Sequence, residues 1–261
     1  MTTCRSAREI DCLRIAGRVT ARALEALVKS VVPGATTGEI DAYAEELIRK
    51  QGGEPAFLGY HGFSGSICAS VNDEVVHGIP GRRKLIAGDL LKIDIGARVD
   101  GWYGDMACTV AVGEISPQAR RLVETTKESL LAGIAVVRPG AHVSDIGHAV
   151  QGVVERQGFS VVRALVGHGV GRQLHEEPPV PNYGKPGNGV VLKPGMVLAV
   201  EPMVNAGSWQ VRTNPDGWTV VTAQGCLSAH FEHTIAVTAL GCEILTVSSD
   251  ATLAQSPAVA L

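Results

Sequence analysis

Apolar positions return at helical spacing from Ser6 to Val31, through Ile10, Leu13, Ala16, Ala23, Leu24, Leu27 and Val28. Ser6 with Glu9 three residues on has capping-box spacing, and Pro33-Gly34 ends the run. Thr36 with Glu39 opens a second predicted helix that closes near Gly52-Gly53. The stretch from Phe57 to Gly81 is turn-rich and mixed. Leu90 to Ala97 and Tyr103 to Val112 read as two strands around an Asp100-Gly101 turn. Ser116-Pro117 starts a third helix, with Ser as cap and Pro in its first turn, and a fourth is expected from about Ser144 to Gln157. Beyond Gly158 the pattern is again strand-rich, most clearly over Val190 to Val204 and Thr219 to Thr238. The tail after Ser248 is expected to be loosely held.

Two helices followed by strands thus occur twice, and the residues echo that order. The segment from Pro33-Gly34-Ala35 to Gln51-Gly52 matches Pro139-Gly140-Ala141 to Gln157-Gly158 without a gap, with Ile40 opposite Ile146. Gly88 to Asp94 then aligns with Gly195 to Glu201, which puts an acid at the end of each segment. This predicts two pseudo-symmetric halves, about residues 1–112 and 113–248, packed around one shared site within a single domain spanning residues 1–261.

Composition narrows the function. Hydrophobic residues make up 45% and charged residues 19% of 261, enough for a sizeable core. A net charge of −3 and 4% aromatics argue against a broad nucleic-acid surface. No stretch approaches the ~20 apolar residues of a membrane span, and no apolar segment follows the charged N-terminus as in a signal peptide. Cys4, Cys12, Cys68, Cys108, Cys226 and Cys242 form no CxxC pair and read as thiols of a reducing, cytoplasmic compartment. Nothing demands an oligomer, so a monomer is expected.

The chemistry lies in acids embedded in apolar strands. Asp94 sits between Ile93 and Ile95, and a hairpin turning near Val99 to Gly101 would set it opposite Asp105. Two like charges on one face of a sheet are destabilising unless a cation lies between them or one is protonated. Glu201 ends the Val197–Val200 run, Glu232 is embedded in Ala229 to Ile235, and His168 stands among glycines in Gly167 to Gly171. Buried unpaired carboxylates are costly and are usually neutralised or metal-bound. Four carboxylates and one imidazole without a thiolate suit Mn(II), Fe(II), Co(II) or Zn(II). Two such ions, about 3.5–4 Å apart, balance the charge better than one and could acidify a shared water.

The other histidines divide. His77 and His175 lie in loop-like contexts, where residues that orient substrate or move protons often sit. His230 and His233 flank Glu232 as possible supporting partners. His61, His142 and His148 read as ordinary structural or solvent-facing residues. Phe57, Tyr60, Phe63 and Trp218 could line an apolar pocket.

Taken together, Leu58 to Phe63, Asn72 to Pro80, Asp94, Gly104-Asp105, Gly167 to Gly184, Gly195 to Met203, Asp216 to Thr219 and Glu232-His233-Thr234 resemble the type I methionine aminopeptidases, in their short bacterial form. The resemblance covers essentially the whole chain. It implies an α/β (α+β) fold of duplicated "pita-bread" type, an antiparallel curved sheet with helices on its outer face. It implies five ligands to two divalent ions at Asp94, Asp105, His168, Glu201 and Glu232, with Asp105 and Glu232 touching both. His77 and His175 would bind the substrate's scissile region and assist the tetrahedral intermediate. The implied reaction removes the initiator methionine of nascent polypeptides, near the ribosome, when the second residue is small. In it a metal-bridged hydroxide attacks the first peptide carbonyl. Phe57 stands where many relatives have cysteine, Ala199 where threonine is common and His230 where glutamine is frequent; none removes a ligand. A proline-directed peptidase of the same fold usually carries an extra N-terminal domain, and a binding module on this scaffold typically loses ligands.

Overall fold

In the computed structural model, residues 2–248 are described; the tail expected to be loosely held lies outside them. The first half runs α1 (Ala7–Val28), α2 (Thr37–Lys50), β1 (Glu54–Pro55), β2 (Ile67–Val71), β3 (Glu74–Val76), β4 (Leu90–Val99) and β5 (Trp102–Ala111). The second half runs α3 (Pro117–Ala135), α4 (Val143–Arg156), β6 (Ser160–Val161), β7 (Gly167–Gly169), β8 (Glu176–Val180) and β9 (Val197–Val200). It continues with β10 (Met203–Asn205), β11 (Val211–Thr213), β12 (Val220–Thr222), β13 (Ser228–His230), β14 (Glu232–Val237) and β15 (Cys242–Ile244). No helix among the described residues is long and apolar enough to cross a membrane.

The helix starts follow their local chemistry. Ser6 and Thr36 each accept from the backbone N–H three residues on, while Glu9 and Glu39 reach back to the cap residue. Ser116 caps α3, with Pro117 in the first turn, where the missing N–H costs nothing. The fourth helix begins one residue earlier than its spacing suggests, because the Asp145 carboxylate accepts the His142 N–H at 2.8 Å and so does what Glu39 does for Thr36. Two contacts recur at nearly the same offset along the chain. Thr36 bridges Lys84 as His142 bridges Val191, and Gly34 donates to the Leu85 carbonyl as Gly140 does to that of Leu192.

One antiparallel sheet carries the site, in the order β1-β4-β5-β14-β9-β7-β8, with β2 on β4 and β15 on β14. Leu91, Ile93, Ile95 and Ala97 of β4 join Ile67, Leu24, Leu27, Ile40 and Ile48 in a core under α1 and α2. Strand alternation therefore sends Asp94 and Gly96 to the other face. In the second half Leu198, Val200, Ile235 and Val180 pack against Leu130, Ile134 and Ile146 of α3 and α4.

Two expectations are corrected. The β4–β5 hairpin closes on the two residues Asp100-Gly101, both at positive φ (50° and 79°), so Val99 pairs with Trp102. The primed turn that such a pair makes matches the strand twist. Asp94 consequently pairs with Ala107, and Asp105 with Gly96, so the two acids share a face as diagonal rather than direct neighbours. The stretches Val190 to Val204 and Thr219 to Thr238 are also not continuous strands. A turn at Pro194-Gly195 and a break at Pro202 leave β9 and β10, and a turn at Ala223-Gln224 and a break at Phe231 leave β12, β13 and β14.

Candidate metal centre

The five candidate ligands sit on five consecutive strands of the sheet. Asp94 is on β4, Asp105 on β5, Glu232 at the start of β14, Glu201 just past β9 and His168 on β7. Ala107 organises the centre, since it pairs with Asp94 on one side and with Glu232 on the other. Asp105, two residues before it, points to the same face. One oxygen each of Asp105 and Glu232 and one nitrogen of His168 all lie within 4.8 Å of one another. His168 Nε2 stands 3.7 Å from Asp105 Oδ2 and 3.4 Å from Glu201 Oε1.

The donors fit a cation better than they fit each other. Asp94 Oδ1, Asp105 Oδ1 and Glu232 Oε1 are buried without a hydrogen-bond partner. Burial, joined by neighbouring carboxylates, pushes Asp94, Glu201 and Glu232 well above the usual carboxylate range. Burial raises Asp105 to about 7. Such a cluster stays ionised at neutral pH only with positive charge among its oxygens. His168 faces the same oxygens as a neutral donor: Nδ1–H donates to the Gly169 carbonyl at 2.9 Å, leaving the Nε2 lone pair toward Asp105 and Glu201. Burial and nearby His175 lower its pKa to about 3, so the ring is neutral, as a ligand must be. Thr234 fixes the Asp105 backbone, accepting from its N–H at 3.1 Å and donating to its carbonyl at 2.7 Å.

The other histidines separate by position. His77 and His175 line the same cleft as His168 and Glu201, a space of about 250 Å³. His77 adopts a positive φ of 59°, and burial together with His175 lowers its pKa to about 4. The His175 ring lies 4.2 Å from that of His168, and the Tyr60 hydroxyl meets its Nδ1 at 2.7 Å. His230 is buried with Nε2 3.7 Å from Glu201 Oε2. His233, also considered beside Glu232, faces the other side of the sheet and meets the Thr246 hydroxyl at 2.9 Å. His142 starts α4, and His148 meets the Gly184 carbonyl at 3.3 Å, both away from the cleft. His61 stacks edgewise on Tyr60 at 4.4 Å, closer to the site than its sequence context suggested.

Phe57, Phe63, Cys68 and Leu174 form one apolar cluster with Tyr60, Tyr103 and Trp218 packed on it. The Phe57 ring lies against Gly96, the cross-strand partner of Asp105. Sequence reasoning missed Cys68, Tyr103 and Thr234. Cys68 pairs directly with Asp94 through β2, and the apolar run Ile67 to Val71 was the signal for that strand. Thr234 and Tyr103 carried no local signal, because their partners are remote in the chain.

The profile of Metallopeptidase family M24 matches residues 11–239. The chain is 55% identical over 246 residues to methionine aminopeptidase 1 of Bacillus subtilis, covering 94% of this chain and 99% of that one. Its structure is similar to that of methionine aminopeptidase from Thermotoga maritima, with TM-score 0.93 and 46% identity over 94% of this chain and 99% of that one. A methionine aminopeptidase from Rickettsia prowazekii is equally close in shape, with TM-score 0.93 and 42% identity over 95% and 100% of the two chains.

Proposed function

Because the chain belongs to metallopeptidase family M24, we propose that it removes the N-terminal methionine of new polypeptides whose second residue is small. The observation that carries this reading is the cluster of Asp105, Glu232 and His168, whose donor atoms lie within 4.8 Å of one another, with Glu201 3.4 Å from His168 and one buried oxygen each of Asp94, Asp105 and Glu232 unpartnered. Asp94, Asp105, His168, Glu201 and Glu232 would hold two divalent cations, drawn from Mn, Fe, Co or Zn. Cations held there supply a Lewis acid for the peptide carbonyl and lower the pKa of water enough for attack at neutral pH.

The chain's own residues do the rest. The Tyr60 hydroxyl, made less acidic by burial, keeps its proton and meets His175 Nδ1 at 2.7 Å, where it would donate to the tautomer protonated on Nε2. The neutral ring then carries its own proton on Nε2, as a donor to charge developing on a carbonyl oxygen. His77, neutral at pH 7, stands across the cleft to orient the scissile peptide and exchange a proton with it. The aromatic cluster of Tyr60, Phe63 and Trp218 gives a polarisable surface suited to a thioether side chain. All six cysteines are free thiols, which supports a reducing compartment such as the cytoplasm.

The test is release of free methionine from a Met-Ala-Ser peptide, with and without divalent metal. Release only in the metal-replete protein is expected. Hydrolysis of an X-Pro peptide instead would turn the reading toward a proline-directed peptidase, and full metal loading without peptidase activity would overturn it.

A further inference from the structure

The loop that presents His175 is braced from the far end of the chain. His175 closes the connection between β7 and β8, and Glu176 follows it at once. The Glu176 carboxylate turns back under the loop, where Oε1 accepts the N–H groups of Arg172 at 2.8 Å and Gln173 at 3.1 Å. Its Oε2 is paired with the Arg5 guanidinium, 171 residues earlier in the chain. Both side chains are largely enclosed, with exposures of 9% for Arg5 and 16% for Glu176.

Arg5 is itself fixed at both ends. Its backbone N–H donates to the Gly195 carbonyl at 2.7 Å, and its guanidinium lies over the Trp102 ring at 5.4 Å. Arg172 covers the same ring at 4.0 Å and reaches the Asp100 carbonyl at 3.3 Å. The loop therefore rests on an indole that both guanidinium groups cover, with Glu176 tying the Arg5 guanidinium to the Arg172 backbone. Gly171 belongs to this fit, since a Cβ there would collide with the Arg5 guanidinium and the Glu176 carboxylate.

We propose that Arg5 is a positioning residue for peptide hydrolysis, which sets the place of His175 through Glu176 and the two loop N–H groups that Glu176 holds. The proposal rests on the role assigned to His175 above. A carboxylate enclosed beside an arginine fork keeps one orientation, whereas without the fork it turns toward water and releases the loop. A misplacement of about 1 Å at a group that meets the reacting peptide costs up to about 100-fold in rate.

The experiment compares Arg5→Met and Arg5→Lys, each alone and combined with His175→Ala, in metal-replete protein acting on Met-Ala-Ser. For Arg5→Met we expect kcat to fall about 10- to 100-fold with metal content unchanged, and Arg5→Lys to restore part of the loss. In the His175→Ala background the Arg5 substitution should add almost nothing, because both act through one group. Amide exchange at Arg172 and Gln173 should quicken in Arg5→Met whatever His175 contributes to catalysis. Unchanged exchange, or additive losses with His175→Ala, would overturn the proposal. Should Arg5→Met not fold, Arg5→Lys carries the same comparisons. Wild-type kcat in His175→Ala, with exchange still quickened by the Arg5 change, would refute the catalytic reading of His175 and leave the brace itself standing.

Discussion

Replacing Asp105 by Asn should abolish metal loading and yet stabilise the metal-free protein. Asp105 is 4% exposed, its Oδ1 has no partner, and it raises the pKa of each of the other three carboxylates. Burial raises Asp105 itself from an ordinary 3.8 to about 7. A group with a raised folded-state pKa favours folding fully below its unfolded value, and that contribution disappears as pH rises through the folded value. The loss thus develops between about pH 4 and pH 7, and about 3 units at 1.36 kcal/mol each make it about 4 kcal/mol. Asn has nearly the same shape, carries no charge and keeps the backbone bonds to Thr234. At about pH 8 the metal-free variant should therefore melt above the metal-free wild type by on the order of 10 °C, given 2–4 °C per kcal/mol for a chain of this size. The gap should narrow as pH falls and close near pH 4, and added metal should lift only the wild type. The assay is thermal unfolding of chelator-treated protein across pH, with metal content measured in parallel. An Asn variant less stable than metal-free wild type at every pH would refute the reasoning, because packing rather than charge would then dominate the site.

Two further substitutions separate the roles around the centre. His77→Ala should keep its full metal content while kcat falls by roughly 10²–10⁴, the range for loss of a proton-handling group, and metal analysis beside steady-state kinetics checks both. Thr234→Val removes the hydroxyl that both accepts from and donates to the Asp105 backbone, so it should cost about 1–3 kcal/mol in thermal unfolding and weaken metal affinity in a titration.

What the sequence determined by itself was whatever local chemistry controls. Ser6 with Glu9, Thr36 with Glu39, and Ser116 with Pro117 mark helix starts because each cap is satisfied within one turn. Asp100-Gly101 marks a hairpin because those two residues tolerate positive φ. The acids set in apolar runs declare themselves because an unpaired buried charge is costly anywhere; the five candidates lie on adjoining strands or, for Glu201, just past one. Only the tertiary structure decided how those strands meet. The offset between Asp94 and Asp105 depends on a turn one residue shorter than its neighbourhood suggested, and a shift in register moves every facing pair. Which side of β14 carries Glu232 and which carries His233 follows from where β5 and β9 pair with it. Tyr60 on His175, Thr234 on Asp105 and Arg5 on Glu176 join residues 115, 129 and 171 positions apart. Contacts at such separations leave no local pattern, because they come from chain closure and packing rather than from the preferences of neighbouring residues.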